Sequence, residues 1–459
     1  MKFFQGAVTT AILCAAGSTF LQAQKLTVLV SMGQTSASGC YPMSSLVQGP
    51  DGNLYGTMSG GGASGWGTVF KMTPGGQTKP LYSFTNGSDG GEPAAALALG
   101  ADGNFYGSTS EAGGPSDAGT IFKITPEGVL TTIYTVGQTA GPDLIDGALA
   151  LGNDGNFYGT SREGGGYGDI FKITPSGVLT VLHTFDKTDG RYPYAALTLA
   201  NDGNFYGTTE FGGADNDGTV FRITPSGAFT LLHSFDLTDG ATPYAGLALS
   251  DDGYLYGTTQ KGGGTQNEGG TYFKVSTSGQ FTLLGAFAKA AGTDSLTTLV
   301  LGSQGNFYGA TSAGETSGGG AIFSMNPSGT VTPLANLNVA TTGALLYGLM
   351  EHTDGTFYGS AFTGGPSQFG TLLSLNVGQH PFVAFQFPYG SVGQTVQILG
   401  QGFTGATGVS FNGAPATFNV VSATFLEATV PAGATSGRVT VNTHTGTLTS
   451  NRAFVVLAK

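Results

Sequence analysis

Between residues 192 and 235 small apolar and polar positions alternate in four short runs, and Gly, Pro, Asp and Asn separate them. Ala195 to Ala200 is a run of small and apolar residues, Asn204 to Thr209 a second strand, Thr219 to Thr224 a third and Phe229 to Phe235 a fourth. A two-residue alternation over runs this short predicts half-buried β-strands. Asp202-Gly203 reads as a type I′ hairpin between the first two strands, and Pro225-Ser226-Gly227 turns the third into the fourth.

The same block recurs. DGNLYG begins at Asp51, DGNFYG at Asp102, Asp154 and Asp202, DGYLYG at Asp252, QGNFYG at Gln304 and DGTFYG at Asp354, at intervals of 48 to 52 residues. A fixed period of this length means one supersecondary unit stacked many times, and four antiparallel strands per unit is the content of a propeller blade. The first strand of each unit is small-residued, as in Ala94-Ala95-Ala96 and Ala245-Gly246. Inner strands that converge on one axis require that.

The two ends of the array predict how the ring closes. LTVLVSM at 26–32 matches the fourth-strand sequence LTVLHTF at 179–185, while residues 345–375 supply only strands one to three of a seventh unit. An orphan fourth strand at the start completes the unit at the end and removes an exposed edge. The expectation is an all-β chain: a seven-bladed β-propeller over 24–378, closed by its N-terminal strand. The repeats resemble the GloVer tandem-repeat family of exported bacterial proteins, which shares the DGNFYG…GG…GTVFKITPSG pattern. The resemblance spans residues 41 to about 375 and implies no defined catalytic activity or ligand.

After Gly378 the pattern changes to short strands with Gly and Pro turns at sandwich spacing. Pro388, Gly390, Gly393, Gly400-Gln401-Gly402-Phe403, Val409 to Gly413, Val430 to Gly433 and Gly437 occur in an order similar to IPT/TIG domains. Residues 379–459 are therefore expected to form an immunoglobulin-like β-sandwich. Such domains occur in bacterial surface proteins, as accessory modules of enzymes and in transcription factors.

Residues 1–23 read as a secretory signal peptide, with Lys2, an apolar stretch from Phe3 to Phe20 and Leu21-Gln22-Ala23 as the cleavage site. The apolar stretch is too broken for a membrane span, and export excludes the transcription-factor setting. Removal of Lys2 leaves 15 basic and 28 acidic residues, a net charge of −13. Such a surface repels phosphate backbones, so nucleic acid is excluded as a partner. A secreted protein, or one held at the outer surface or in the periplasm, is expected, as a monomer with a polysaccharide or an extracellular protein as its partner.

Chemistry is sparse. No nucleophile elbow, P-loop or Cys-His pairing is present. The DGN and TPSG turns share one face of a propeller, and the variable loops share the other: 60–67, 111–119, 162–168, 210–218 and 260–270. Recognition is expected on that second face. Its best-furnished part joins Arg162, Tyr167, Asp186, Asp189, Arg191, Tyr192, Tyr194, Phe211, Asp236, Asp239 and Tyr244. Aromatic rings with carboxylates and arginines suit sugar stacking and hydroxyl recognition. The alternative is that Asp189-Gly190 and Asp239-Gly240 form turns and the tyrosines wedge between blades. No cofactor is expected. Asp186 and Asp189 could offer oxygen ligands to calcium, but FDKTDG matches no calcium loop. The leading expectation is a non-catalytic binding or cell-envelope protein. A carbohydrate-active hydrolase or lyase, and a structural spacer, stand as alternatives.

With residues 1–23 removed, Cys40 is the remaining cysteine. Thermal melts of the mature protein with and without reductant should coincide; a large loss of stability on reduction would contradict the cleavage site.

Overall fold

The computed structural model describes residues 24–457 apart from 34–36, 113–117, 138–144, 264–268, 289–290 and 315–317; the expected leader lies outside the described residues. Among the described residues the repeats build seven sheets. In the sheet of residues 198–234, Thr198–Leu199, Phe205–Thr209, Thr219–Ile223 and Phe229–Ser234 pair antiparallel in chain order. Two local expectations are corrected. The first strand is a two-residue ladder, Thr198–Leu199, rather than Ala195 to Ala200, because the preceding small residues run along the ring axis and bond to the neighbouring blade instead. The Asp202-Gly203 hairpin is not type I′. Of its residues only Gly203 has positive φ (+79°), and Gly203 N bonds Ala200 O while Ala200 N bonds Asn204 O. That is a type I turn closed by a glycine bulge, with Asp202 Oδ1 accepting from Asn204 N at 3.1 Å. The Thr224–Ala228 turn has the same construction around Gly227.

The recurrent Phe-Tyr pair joins the blades. The tyrosine of one blade packs against the aromatic of the next, with centroid separations of 4.2 Å for Tyr55–Phe105, 4.1 Å for Tyr106–Phe157 and 4.0 Å for Tyr158–Phe205. Where the sequence substitutes leucine, Tyr206 meets Leu255 and Tyr358 meets Leu54. Each tyrosine is buried, and those of the first five blades spend their hydroxyls on the turn aspartate, as Tyr158 does on Asp154 at 2.8 Å. Aromatic pairs of this kind contribute about 0.5–1.5 kcal/mol each beyond their burial.

A second bond crosses each of several seams. The hydroxyl after FYG donates to the inner segment of the next blade: Thr57 to Ala95 O, Ser108 to Ile145 O, Thr160 to Ala195 O and Thr208 to Ala245 O, at 2.9–3.1 Å. Thr258 reaches Ser295 Oγ, and Ser360 reaches Ser44 O across the closing seam. The sixth copy has Ala310 in this place, and Thr297 bonds both the N–H and the carbonyl of that residue.

Closure comes from Lys25–Ser31, which pairs antiparallel with Thr371–Asn376 outside Phe357–Thr363 and Ala344–Glu351. Its ladder shifts register between Val28 and Val30, as the outer strands of the other blades do, for example at Ile170/Phe171. Leu54, Phe70 and Met72 then share one buried cluster with Tyr358 and Leu372, along with Cys40, whose thiol pKa burial raises.

The C-terminal strands form two four-stranded sheets and a two-stranded parallel pair, Tyr389–Ser391 with Val455–Leu457, around Val396, Ile398, Phe403, Phe411, Leu426, Val439 and Phe454. This sandwich sits on the turn face of the ring. Thr424 Oγ1 donates to Pro50 O at 2.8 Å, Gln386 Nε2 to Leu99 O at 3.2 Å, and Gln401 Nε2 to Thr353 Oγ1 at 2.9 Å. Arg438 pairs with Asp251.

Thr208→Val keeps shape but strands the buried Ala245 carbonyl. It should lower unfolding stability by about 1–2 kcal/mol in chemical denaturation. An unchanged midpoint would show that the seam bond is idle. Deleting residues 24–33 should expose the edge of Thr371–Asn376 and shift the protein toward aggregates in size-exclusion chromatography; a well-behaved monomer would contradict the closure role.

Candidate functional site

One position of the repeat, just ahead of the inner ladder, rings the mouth of the axial cavity on the variable-loop face with Met43, Ala94, Asp146, Tyr194, Tyr244 and Leu296, and Tyr347 joins them from a bulge one residue further along the seventh copy. Behind it lie small residues, among them Ala95, Gly147, Ala195 and Ala245. Seven inner segments meeting at one axis leave room only for such side chains, and together they bound a cavity of about 480 Å³.

Its polar furniture is gathered on one side. Arg162, from the loop after Phe157–Ser161, donates from Nη1 to the Tyr194 hydroxyl at 3.1 Å and lies 3.4 Å from Asp146 Oδ2. Its guanidinium sits 5.3 Å from the Tyr194 ring centroid, and Nε is 3.4 Å from Glu163 Oε1. Tyr194 and Tyr244 lean on each other at 4.7 Å and 31°. Burial raises the Asp146 carboxyl pKa, and the Arg162 charge only partly offsets this. Burial likewise raises the Tyr244 and Tyr347 phenols, and raises Glu210 against the opposing charges of Lys261, Arg162 and Arg191. Asp146 Oδ2 and Arg162 Nε are buried without a hydrogen-bond partner. A ligand hydroxyl could satisfy either, since one accepts and the other donates.

The residues singled out in sequence fall into three places. Arg162, Tyr194 and Tyr244 line the cavity. Arg191, Tyr192 and Phe211 form a packed group outside its lining, with the Arg191 guanidinium 4.8 Å from the Tyr192 centroid and 5.0 Å from that of Phe211. Tyr167 is exposed near the same seam, its carbonyl accepting from Tyr192 N at 2.8 Å. Asp186, Asp189, Asp236 and Asp239 stand in turns beyond the outer strands. Asp189 Oδ2 is 2.9 Å from His183 Nε2, and Asp186 Oδ1 accepts from Thr188 N and Oγ1 at 3.0 and 2.6 Å. Asp236 and Asp239 repeat this with Thr238 and His233. His183 and His233 stack on Phe229 and Phe281 at 3.9 and 3.7 Å. Among the described residues no three His, Cys, Asp or Glu side chains gather as a metal site. Parts of two variable loops, 113–117 and 264–268, lie outside the described residues.

Sequence reading did not single out Asp146, Tyr347 or Glu210. Superposing the copies finds Asp146, which occupies the repeat position of Tyr194 and is hidden by the missing Tyr-Pro before it; Tyr347 falls one residue out of register, at the bulge between Leu346 and Gly348, and only the folded chain brings it to the cavity.

The profile of the Gloeobacter/Verrucomicrobia repeat matches residues 41–267 and again 201–417. The chain belongs to the Gloeobacter/Verrucomicrobia repeat family. Residues 383–456 of this repeat protein match the IPT/TIG domain. No curated protein matches it. Among solved structures it is similar to a streptogramin B lyase, at TM-score 0.54 and 17% identity, over 78% of this chain and 98% of that one. A fungal alcohol oxidase of the AA5 family, in complex with copper, is similar at TM-score 0.53 and 11% identity, over 94% and 99%. The extracellular domain of a hybrid two-component system from B. thetaiotaomicron is similar at TM-score 0.52 and 12% identity, over 94% and 58%. At these identities the likeness is one of fold.

Val300 and Leu349 line both the axial cavity and a second one of about 340 Å³ between the ring and the sandwich of the repeat protein. Glu351 lies on its wall and accepts from Ser303 N and Oγ, each at 2.8 Å. Burial, reinforced by Asp354 and opposed by the Ser303 bonds, lifts its pKa from 4.5 to about 7. An acid with a raised native pKa binds more protons folded than unfolded between these values, so its contribution to stability is full below pH 4.5 and is lost as pH rises through 7. Glu351→Gln should flatten that decline, by on the order of 2–3 kcal/mol across the window. Denaturation curves of both proteins at acid and neutral pH check this; parallel pH profiles would contradict it.

Proposed function

We propose that this repeat protein is an exported, non-catalytic binding protein of the bacterial cell envelope, and that the axial mouth on its variable-loop face recognises a sugar unit of a glycan. In this reading residues 1–23 are the leader removed on export, 24–378 the ring and 379–459 the accessory sandwich. The observation that carries it is the pairing of two tyrosine rings, Tyr194 and Tyr244, with Asp146 and Arg162, each of which keeps a buried polar atom without a hydrogen-bond partner. Sugars present apolar ring faces to aromatics and hydroxyls to such donors and acceptors. The cavity is of small-molecule size, within the ~300–1,000 Å³ common for such sites. Among the described residues no helix is long and apolar enough to cross a membrane.

A glycan array followed by calorimetric titration of the mature protein tests this. Tyr244→Ala should weaken the best glycan by about two- to tenfold, from ~0.5–1.5 kcal/mol of lost stacking. Asp146→Asn, a near-isosteric change, should also weaken it. Binding that ignores both substitutions would move the site away from the axis, and cleavage of the bound glycan by the same preparation would refute the non-catalytic reading.

A further inference from the structure

The second cavity is lined by a charge that no hydrogen bond or ion pair answers among the described residues. Arg452 enters its wall from the sandwich, in the turn after Gly446–Thr449, and its carbonyl accepts from Ser450 Oγ at 2.6 Å. Its guanidinium has neither a hydrogen bond nor an ion pair among the described residues. Asp251 acts on it electrostatically, but that carboxylate is already engaged by Arg438 and by Ala453 N. Burial therefore disfavours the charge of Arg452 and Asp251 offsets only part of this. Half-buried and facing the cavity, the guanidinium keeps its N–H donors free for an anion. Apolar side chains line the cavity as well, Val300, Leu301 and Met350 from the ring and Phe385 and Pro388 from the sandwich, beside the polar Glu351, Gln386 and Asn451.

We propose that this inner chamber binds a small organic carboxylate, with Arg452 taking the carboxylate and the apolar wall taking the carbon body. A guanidinium presents two parallel N–H donors that match a carboxylate, which a point charge does not. The volume of about 340 Å³ admits a small molecule and no polymer. Gln386 is committed to Leu99 O and Gly100 O, so the headgroup interaction falls to Arg452, with Asn451 beside it on the wall. Glu351 faces the same space, and its carboxyl is largely uncharged at pH 6, where it does not repel a second acid. The chamber shares Val300 and Leu349 with the axial cavity but none of Asp146, Arg162, Tyr194 or Tyr244, so the proposal stands whatever the mouth binds.

Calorimetric titration of the mature protein at pH 6 with benzoate, and with benzamide as its uncharged counterpart, tests the inference. Benzoate should bind at one site per chain, and benzamide at least about tenfold more weakly. Arg452→Met keeps the stem and the Ser450 bond and should lose benzoate binding, while Arg452→Lys should lose most of it. Ala384→Leu fills the chamber with Arg452 untouched and should have the same effect, whereas Tyr244→Ala should have none. Equal binding of benzoate and benzamide, full binding by both Arg452→Met and Ala384→Leu, or no binding of benzoate at millimolar concentration would each overturn the proposal.

Discussion

The contact between the tyrosine of one blade and the aromatic or leucine of the next is the interaction on which the ring depends. A single blade is a small twisted sheet with two apolar faces and cannot bury either alone. The Phe-Tyr pair at the centre of each repeat supplies both faces from adjacent residues, because successive side chains of a strand point to opposite sides. Phe157 thus packs against Tyr106 behind it while Tyr158 packs against Phe205 ahead. The tyrosine adds a hydroxyl that reaches the turn aspartate, so one residue ties the seam and the hairpin together.

The axial cavity follows from the same geometry. Once identical seams close a ring, the innermost segments are held at a fixed radius, and the seam bonds from Thr160, Thr208 and their counterparts draw those segments outward to the neighbouring blades. What remains at the axis is a space whose mouth is set largely by one repeat position. Changing that position alters the mouth without disturbing the seams, which is why Met43, Ala94, Asp146 and Leu296 can differ so widely on one scaffold. The C-terminal sandwich sits over the opposite opening, leaving one cavity at the axis and a second between ring and sandwich.

Much of the fold was legible because each local signal repeats. Seven versions of one turn and one Phe-Tyr pair announce the period, and LTVLVSM announces the closing strand. The extent of the inner strands was less legible, since Ala195 to Ala200 has strand-like composition whether it pairs within its own sheet or bonds to the next blade. The turn type was misread because Asp-Gly occurs in both constructions, and only the placement of the glycine at positive φ separates them. For the site, Arg162, Tyr194 and Tyr244 were visible as aromatic and charged residues near the variable loops. Asp189 and Asp239 look equally chemical in sequence, yet their oxygens are engaged by His183 and His233 and by local backbone N–H groups. Arg452 carries no sequence signal at all; its interest lies in the absence of a partner, which only the folded chain reveals.

The central claim is that the ring axis, rather than the outer loops, is where this repeat protein meets its ligand. A crystal structure of the mature protein soaked with the strongest binder from a glycan array tests it directly. The account predicts a sugar ring against Tyr194 and Tyr244, with its hydroxyls at Asp146 and Arg162. Density confined to the outer loops, with the axial mouth holding only solvent, would contradict it.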